Sequence, residues 1–373
     1  MDRPRVLQLI ETSGIGGAET VVLQLARGLR DRFEPIVGLL RDGWLQQSLA
    51  MDGIKTIRLT LRRPYDTRFV SELAACMRQE RVSLVHAHLF SMTVYGSMAA
   101  RLAGVPSVFT VHGFEREFII PRRLWAMRVA ARLSRRIVCV SDCLRTMVAG
   151  RLRVSHGRAV RIYNGVDVSR FEVKAQHNGP RPTVGCVGRL RPEKGHKDLL
   201  AAARLVTERV PDAHFVIVGD GPCRADLEWQ SATLGLDGAV SFLGLRTDVA
   251  ELLGAMHILA VPSTSEGLSI ATLEAQAAGL PVVVTDSGGP AEIVLHGQTG
   301  LIVPPARPEA MAHAILSLLH DKEYAAYLGE QGRARVCELF SINRMLEEHG
   351  RLYDALINGR RRAAVAARAE IQR

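Results

Sequence analysis

The feature that most limits how this chain can fold is an alternation: a short apolar run, then a stretch of helical period, repeated along its length. Residues 5–10 make the first run, and EPIVGLL, KTIRLT, SLVHAHL, PSVFTVHG, RIVCVSD and AVRIYNGVD follow. Runs that are apolar throughout suit strands buried on both faces, and their alternation with helices predicts parallel sheets. Residues 168–182 break the rhythm with Asn, Gly and two prolines and no period. The alternation then restarts with TVGCVGRL and continues through HFVIVGDGP, VSFLG, HILAVPS, PVVVTD and GLIVPP. A chain of 373 residues is too long for one ordinary core. The expected fold class is therefore α/β, with two Rossmann-like doubly wound parallel-sheet domains facing across a cleft. The expected division is 1–170, a linker at 171–182, 183–357, and a basic tail at 358–373. The last long helix is a candidate to cross back to the first domain.

Ser265–Glu274 is the most informative stretch. It follows HILAVPS and precedes SIATLEAQAAG, so it reads as strand, short loop, helix. In a doubly wound sheet that junction lies at the carboxyl edge, where ligands bind. Glu266 falls in the loop and Glu274 in the helix. The N–H groups of Gly267, Leu268 and Ser269 are expected as helix-terminal donors for a phosphate. Two carboxylates for hydroxyls beside a nest of donors for an anion match what a sugar nucleotide presents. The alternative is a capped helix with two solvated glutamates, which Glu266 alone would favour; the pair with glycine between them favours the site.

Other signals are weaker singly. In VGRLRPEKG (187–195), Arg189 offers a planar fork and Lys194 a point charge to a diphosphate, although charged loops are common. Gly16 and Gly17 in SGIGGAE allow close backbone approach, without the spacing of a dinucleotide fingerprint or an ATP-binding loop. His112 ends a strand, where it would point into the cleft. In SLVHAHL, one of His86 and His88 is expected to pack inward and the other to sit near the edge. Gly288 and Gly289 form a second glycine turn, which either touches ligand or is simply tight.

Composition narrows the classes. No apolar run approaches a membrane span. MDRPRVLQLIET reads as a first strand, not a signal peptide. The six cysteines form no CxxC pair or zinc spacing and read as reduced cytoplasmic thiols, mostly core fillers. Residues 1–175 hold 28 Lys+Arg and 15 Asp+Glu, net +13; residues 176–373 hold 20 and 23, net −3. The asymmetry points to an anionic partner of the first half, with membrane lipid, a polyanionic acceptor and nucleic acid all open, or to a merely Arg-rich solvated surface; no nucleic-acid module is recognisable. In PRRLWAMRVAARLSRR (121–136), Trp125, Val129 and Leu133 recur beside Arg128, Arg132, Arg135 and Arg136, which suits an anionic interface. The alternative is a stripe packed on the sheet. No Asp-x-Asp occurs, and a dehydrogenase fingerprint is absent from both halves.

Taken together, GGAE (16–19), VHG (111–113), NGVD (164–167), VGRLRPEKG, the Glu-x7-Glu stretch (266–274), GG..E (288–292) and HGQTGLIV (296–303) resemble the retaining glycosyltransferases of family four, of GT-B fold. The resemblance covers nearly the whole chain. It implies sugar transfer with retained anomeric configuration from a UDP- or GDP-sugar, with no metal and no cofactor beyond that substrate. It implies Arg189 and Lys194 on the diphosphate, Glu274 on the ribose, and Glu266 on the transferred sugar. Leu268 and Ser269 N–H groups would meet phosphate, His112 a sugar hydroxyl, and Gly16 and Gly17 would line the cleft. The first domain would be the acceptor side and the second the nucleotide-sugar side. A sugar, lipid-linked or glycolipid acceptor is implied, with a cytoplasmic location that extends to the inner membrane face. The competing readings are a GT-B-type sugar-nucleotide epimerase and a non-catalytic basic nucleotide- or nucleic-acid-binding protein.

Overall fold

All thirteen runs that read as strands are strands. In the computed structural model, which describes residues 3–114, 116–155, 157–171 and 181–371, they divide between two units. The first unit comprises residues 1–163 and 343–373, the second 164–342.

The first unit holds β1 (Arg5–Ile10), β2 (Glu34–Leu39), β3 (Lys55–Arg58), β4 (Val82–His88), β5 (Ser107–Val111), β6 (Arg136–Cys139) and β7 (Ala159–Arg161). They pair in parallel in the order β3-β2-β1-β4-β5-β6-β7. Leu7 of β1 lies between Ile36 and Val85, so the register sets apolar residues side by side. The second unit holds β8 (Thr183–Val187), β9 (His214–Val218), β10 (Val240–Gly244), β11 (Ile258–Val261), β12 (Val282–Thr285) and β13 (Leu301–Val303), in the order β10-β9-β8-β11-β12-β13. Every residue of β11 and β12 is buried, as their unbroken apolar character requires.

Each order reverses once, between β1 and β4 in the first sheet and between β8 and β11 in the second. At such a reversal the flanking loops diverge and leave a crevice beyond the strand ends. The loops that carry Glu266 and Lys194 follow β11 and β8.

The division between units falls before residue 170. Val166 bridges Ser341 in parallel, accepting from Ile342 N–H and donating to Phe340 O at 2.9 Å each. The turn Val168–Phe171 packs against the helix Ile270–Ala277, and Arg333 Nη1 donates to Phe171 O at 3.1 Å. These contacts tie 164–171 to the second unit. Of the expected linker, residues 172–180 lie outside the described residues. The final helix, Ile342–Ile371, takes in most of the basic tail, and from Asn343 onward it belongs with the first unit.

In the second unit, helix Lys322–Leu339 meets the turn that ends helix Ile270–Ala277 through a glycine. A Cβ on Gly329 would stand 2.0 Å from Gly279 O. Gly329→Ala is therefore expected to destabilise the protein by about 1–3 kcal/mol through forced backbone displacement. A fall in the urea midpoint at unchanged slope would register it; an unchanged midpoint would contradict this close packing.

Candidate functional site

The second unit builds its site from loops locked to one another. Gly195 closes the turn Pro192–Lys194 at φ +67°, and a Cβ there would meet Pro262 O at 2.0 Å. Thr264 N–H donates to Glu193 O at 2.8 Å. The loops after β8 and β11 are thus fastened together, and Lys194 at the end of one reaches Glu266 on the other to form an ion pair. Ser263 Oγ donates to Glu266 Oε2 at 3.0 Å, and the Glu266 side chain is only 12% exposed. The loop after β12 holds the backbone: Glu266 N–H donates to Ser287 O at 3.0 Å, and Gly289 N–H donates to Glu266 O at 2.9 Å. A Cβ on Gly289 would stand 2.0 Å from Gly267 O. The glycine turn is therefore tight because it supports the Glu266 loop.

Glu274 is handled differently. It sits on the helix Ile270–Ala277, half-buried, and its carboxylate has no hydrogen-bond partner among the described residues. Burial raises its pKa to about 7, against the attraction of Arg170. Arg189, just past β8, is exposed.

The helix begins one step later than the expected donors. Ser269 is its N-cap, and its hydroxyl accepts Thr272 N–H at 3.2 Å. Gly267 and Leu268 lie in the approach loop, both buried, so the first-turn N–H groups without side-chain caps are those of Ile270 and Ala271.

In the first unit, Gly16 caps the helix Gly17–Gly28 in an extended conformation. The preceding loop is anchored where Ser13 O accepts Leu45 N–H at 3.0 Å. Gly17 is exposed and Gly16 half-exposed. His112 follows β5, and its Nε2 lies 3.0 Å from His88 Nδ1. The expectation that His86 and His88 divide between interior and edge is corrected. Two residues apart on β4, they share a face, and both are 0% exposed. His86 Nε2 meets Thr110 Oγ1 at 2.7 Å and its Nδ1 meets Tyr353 OH at 2.5 Å. Burial lowers the pKa of each ring, helped by neighbouring imidazoles at His86, His88 and His112: well below the usual range for His86 and His88, to about 3 for His112, and to about 4 for His349, where burial acts alone and the Met345 carbonyl opposes the shift. All four are neutral at neutral pH.

Sequence reasoning missed Ser263, Gly195 and His88. A hydroxyl at the carboxyl end of a buried strand was the available sign for Ser263. The helix Pro121–Leu133 also differs from its stripe. It buries Met127, Ala130 and Ala131, and leaves Trp125 67% exposed. Arg122 and Arg132 are exposed near it, as is Ile119. Cys139 and Cys186, raised to about 12 by burial, are packing thiols. Among the described residues, no group of three or more His, Cys, Asp or Glu is placed to hold a metal ion, and no helix is long and apolar enough to cross a membrane.

Two Rossmann-like units of this strand order, with charged loops at the reversal of the second sheet, define the GT-B class. Residues 15–170 match the family described as Glycosyltransferase Family 4, and residues 167–335 match Glycosyl transferases group 1. The chain is 32% identical over 302 residues to the GDP-mannose-dependent alpha-(1-6)-phosphatidylinositol monomannoside mannosyltransferase of Mycolicibacterium smegmatis, covering 74% of this chain and 76% of that one. It is 28% identical over 340 residues to the Escherichia coli UDP-Gal:alpha-D-GlcNAc-diphosphoundecaprenol alpha-1,3-galactosyltransferase, covering 84% and 86%. Among solved structures, Anabaena Alr3699/HepE in complex with UDP-glucose superposes with a TM-score of 0.82 at 25% identity, covering 94% of this chain and 99% of that one. The chain belongs to the family 4 glycosyltransferases.

The Glu274 pKa carries a testable sign. It lies near 7 in the folded protein against a reference of 4.5, so the folded state holds this proton more tightly than the unfolded chain. The stabilisation is complete below the lower value and is lost as pH rises through the upper one. Glu274→Gln should therefore gain stability relative to wild type as pH rises from about 5 to about 8. Melting curves at both pH values would check this, and a pH-independent difference would contradict it.

Proposed function

We propose that this protein is a metal-independent, retaining hexosyltransferase that moves a sugar from a UDP- or GDP-sugar to a hydroxyl of a lipid-linked or glycolipid acceptor at the cytoplasmic side of a membrane. The observation that carries the reading is Glu274, a half-buried carboxylate with no hydrogen-bond donor of its own, beside loops that present Arg189 and Lys194. Such a group is matched by the paired hydroxyls of a ribose. The relatives' named substrates, UDP-Gal with a diphosphoundecaprenol-linked sugar and GDP-mannose with a phosphatidylinositol mannoside, support the substrate class.

In this reading the second unit takes the nucleotide sugar and the first the acceptor. Arg189 and Lys194 neutralise the diphosphate, with the N-terminus of helix Ile270–Ala277, approached through Gly267, Leu268 and Ser269, adding N–H donors. Glu266 meets the transferred sugar. Without ligand Lys194 is paired with Glu266, so sugar-donor binding exchanges that carboxylate for phosphate. His112 meets a sugar hydroxyl, and Gly16 and Gly17 let a ligand approach backbone. The bond from C1 to the phosphate oxygen breaks as the acceptor oxygen bonds to C1 on the same face. The acceptor's proton passes to the departing phosphate.

Calorimetry and transfer assays test this. Glu274→Gln should weaken binding of free UDP or GDP by about ten- to a hundredfold, the worth of a charge-assisted hydrogen bond. Glu266→Gln should instead lower turnover with nucleotide affinity retained, and excess EDTA should leave the rate unchanged. Unaltered nucleotide affinity in Glu274→Gln, or metal-restored activity after EDTA, would refute the assignment. Conversion of the sugar nucleotide to its epimer without an acceptor would place the chain in the epimerase class.

The exposed Trp125 among arginines supports an anionic membrane as partner, because an interfacial aromatic with basic neighbours binds such surfaces. Each basic residue contributes about 1 kcal/mol there, so several must act together. Sedimentation with phosphatidylglycerol vesicles should rise with anionic content and fall with salt. It should weaken in Trp125→Ala and in the double variant Arg122→Glu/Arg132→Glu. Indifference of the wild-type protein to such vesicles at low salt would point instead to a soluble polyanionic acceptor.

A further inference from the structure

The buried imidazoles of the first unit fix a hydrogen-bonding pattern. His88 Nδ1 and His112 Nε2 are 3.0 Å apart, and two neutral rings at that distance share one hydrogen. The other nitrogen of His88, Nε2, is buried with no partner among the described residues. Were His112 the donor, the hydrogen of His88 would sit on that nitrogen as an orphaned N–H. A bare lone pair there is the less costly arrangement, since buried orphan donors are the rarer defect. His349 follows the same rule nearby. Its Nδ1 faces Met345 O at 2.9 Å and must carry the hydrogen, so its own buried, unpartnered Nε2 is a lone pair. The ring of His88 is held in place by His86, whose centroid is 4.2 Å away and whose nitrogens are anchored on Thr110 and Tyr353.

We propose that His88 is a positioning residue. It donates its Nδ1–H to His112 Nε2, fixes His112 as the Nδ1–H tautomer, and so presents a neutral hydrogen-bond donor to an oxygen of the sugar. The sugar contact rests on the reading given above; the tautomer does not. His112 is half-exposed at the open end of β5 and lines a small pocket with Leu89, Thr93 and Met127. Its only lone pair is occupied by His88, so it cannot act as a base toward the acceptor, and the proton must leave by another route. Burial keeps the ring uncharged throughout the working range.

Long-range proton–nitrogen correlation spectra of the full chain labelled with 15N-histidine test the assignment directly on the wild-type protein. The His112 signals are identified by their loss in His112→Asn. The Nδ1–H pattern is expected for both His88 and His112, unchanged between about pH 6 and about pH 8. An Nε2–H pattern at His112, or an imidazolium at either ring, would overturn the proposal. His88→Leu removes the donor and should release a mixture of His112 tautomers. It should also lower kcat by about tenfold, the scale of one hydrogen bond, with free-nucleotide affinity retained. His88→Asn places an amide N–H where Nδ1–H was, and should restore both the pattern and most of kcat. Equal losses in the two variants would mark His88 as merely structural and overturn the positioning role. If His112→Asn transferred sugar at the wild-type rate while the wild-type spectra showed the expected pattern, the sugar contact would fail and the tautomer assignment would stand.

Discussion

Backbone pressed on backbone places the reactive groups of the second unit. Gly195 lies on Pro262 O, Gly289 on Gly267 O and Gly219 on Gly188 O, and at each a Cβ would come to 2.0 Å. No side chain separates these loops, so none can shift independently of its neighbour. The loops after β8, β9, β11 and β12 make one continuous rim, and the buried strands behind supply the rigidity. Lys194 and Glu266 inherit their positions from that rim. A group that must meet charge developing in a transition state gains most when its position is fixed beforehand.

On this rim the two carboxylates are left in opposite states. Glu266 has a cation and a hydroxyl, and its negative charge is matched within the protein. Glu274 has no hydrogen-bonded partner for its carboxylate, only the attraction of Arg170, and burial raises its pKa to about 7. The first arrangement keeps a polar group oriented when nothing is bound. The second leaves a hydrogen-bonding capacity open to a ligand; in the proposed reading two ribose hydroxyls would favour the ionised form by donating to it. A single strand–loop–helix segment thus carries one satisfied and one unsatisfied acid.

The strands were legible in the sequence because parallel strands buried on both faces leave unbroken apolar runs. The boundary between the units was not. Val166 reads as first domain and Phe171 as linker until their partners Ser341 and Arg333, far along the chain, are known. Glu266 and Glu274 could be singled out from the strand and helix around them, whereas the Lys194–Glu266 pair depends on two loops meeting. Ser269 reads as a donor in sequence and acts as a cap in structure, which moves the free N–H groups inward. In helix Pro121–Leu133 the large apolar residues suggested one face, but Ala130 and Ala131 make the close packing and leave Trp125 outside. Small residues barely register in an apolar pattern, although they permit the nearest approach. The two histidines of β4 share a face by their spacing, a signal that the division between interior and edge overlooked; their neighbours His112 and His349 come from other elements and carry no such signal.

Neutrality of the histidine cluster suits glycosyl transfer for an electrostatic reason. As the bond to the leaving phosphate breaks, positive charge develops on the sugar ring. An imidazolium touching that sugar would oppose this charge, and in a poorly solvated site the repulsion would be large. A neutral N–H can still orient a sugar oxygen without that penalty. Burial of His86, His88, His112 and His349 together secures the neutral state, since each ring is desolvated and any charge on one raises the cost of charging the next. A lone exposed histidine would titrate near neutral pH and lose this property in part of the population. In the reading proposed above the cluster serves the single ring at its edge, and Tyr353 on the final helix ties its far end. On that same reading, the return of the last helix to the first unit would bear on the chemistry as well as on the packing.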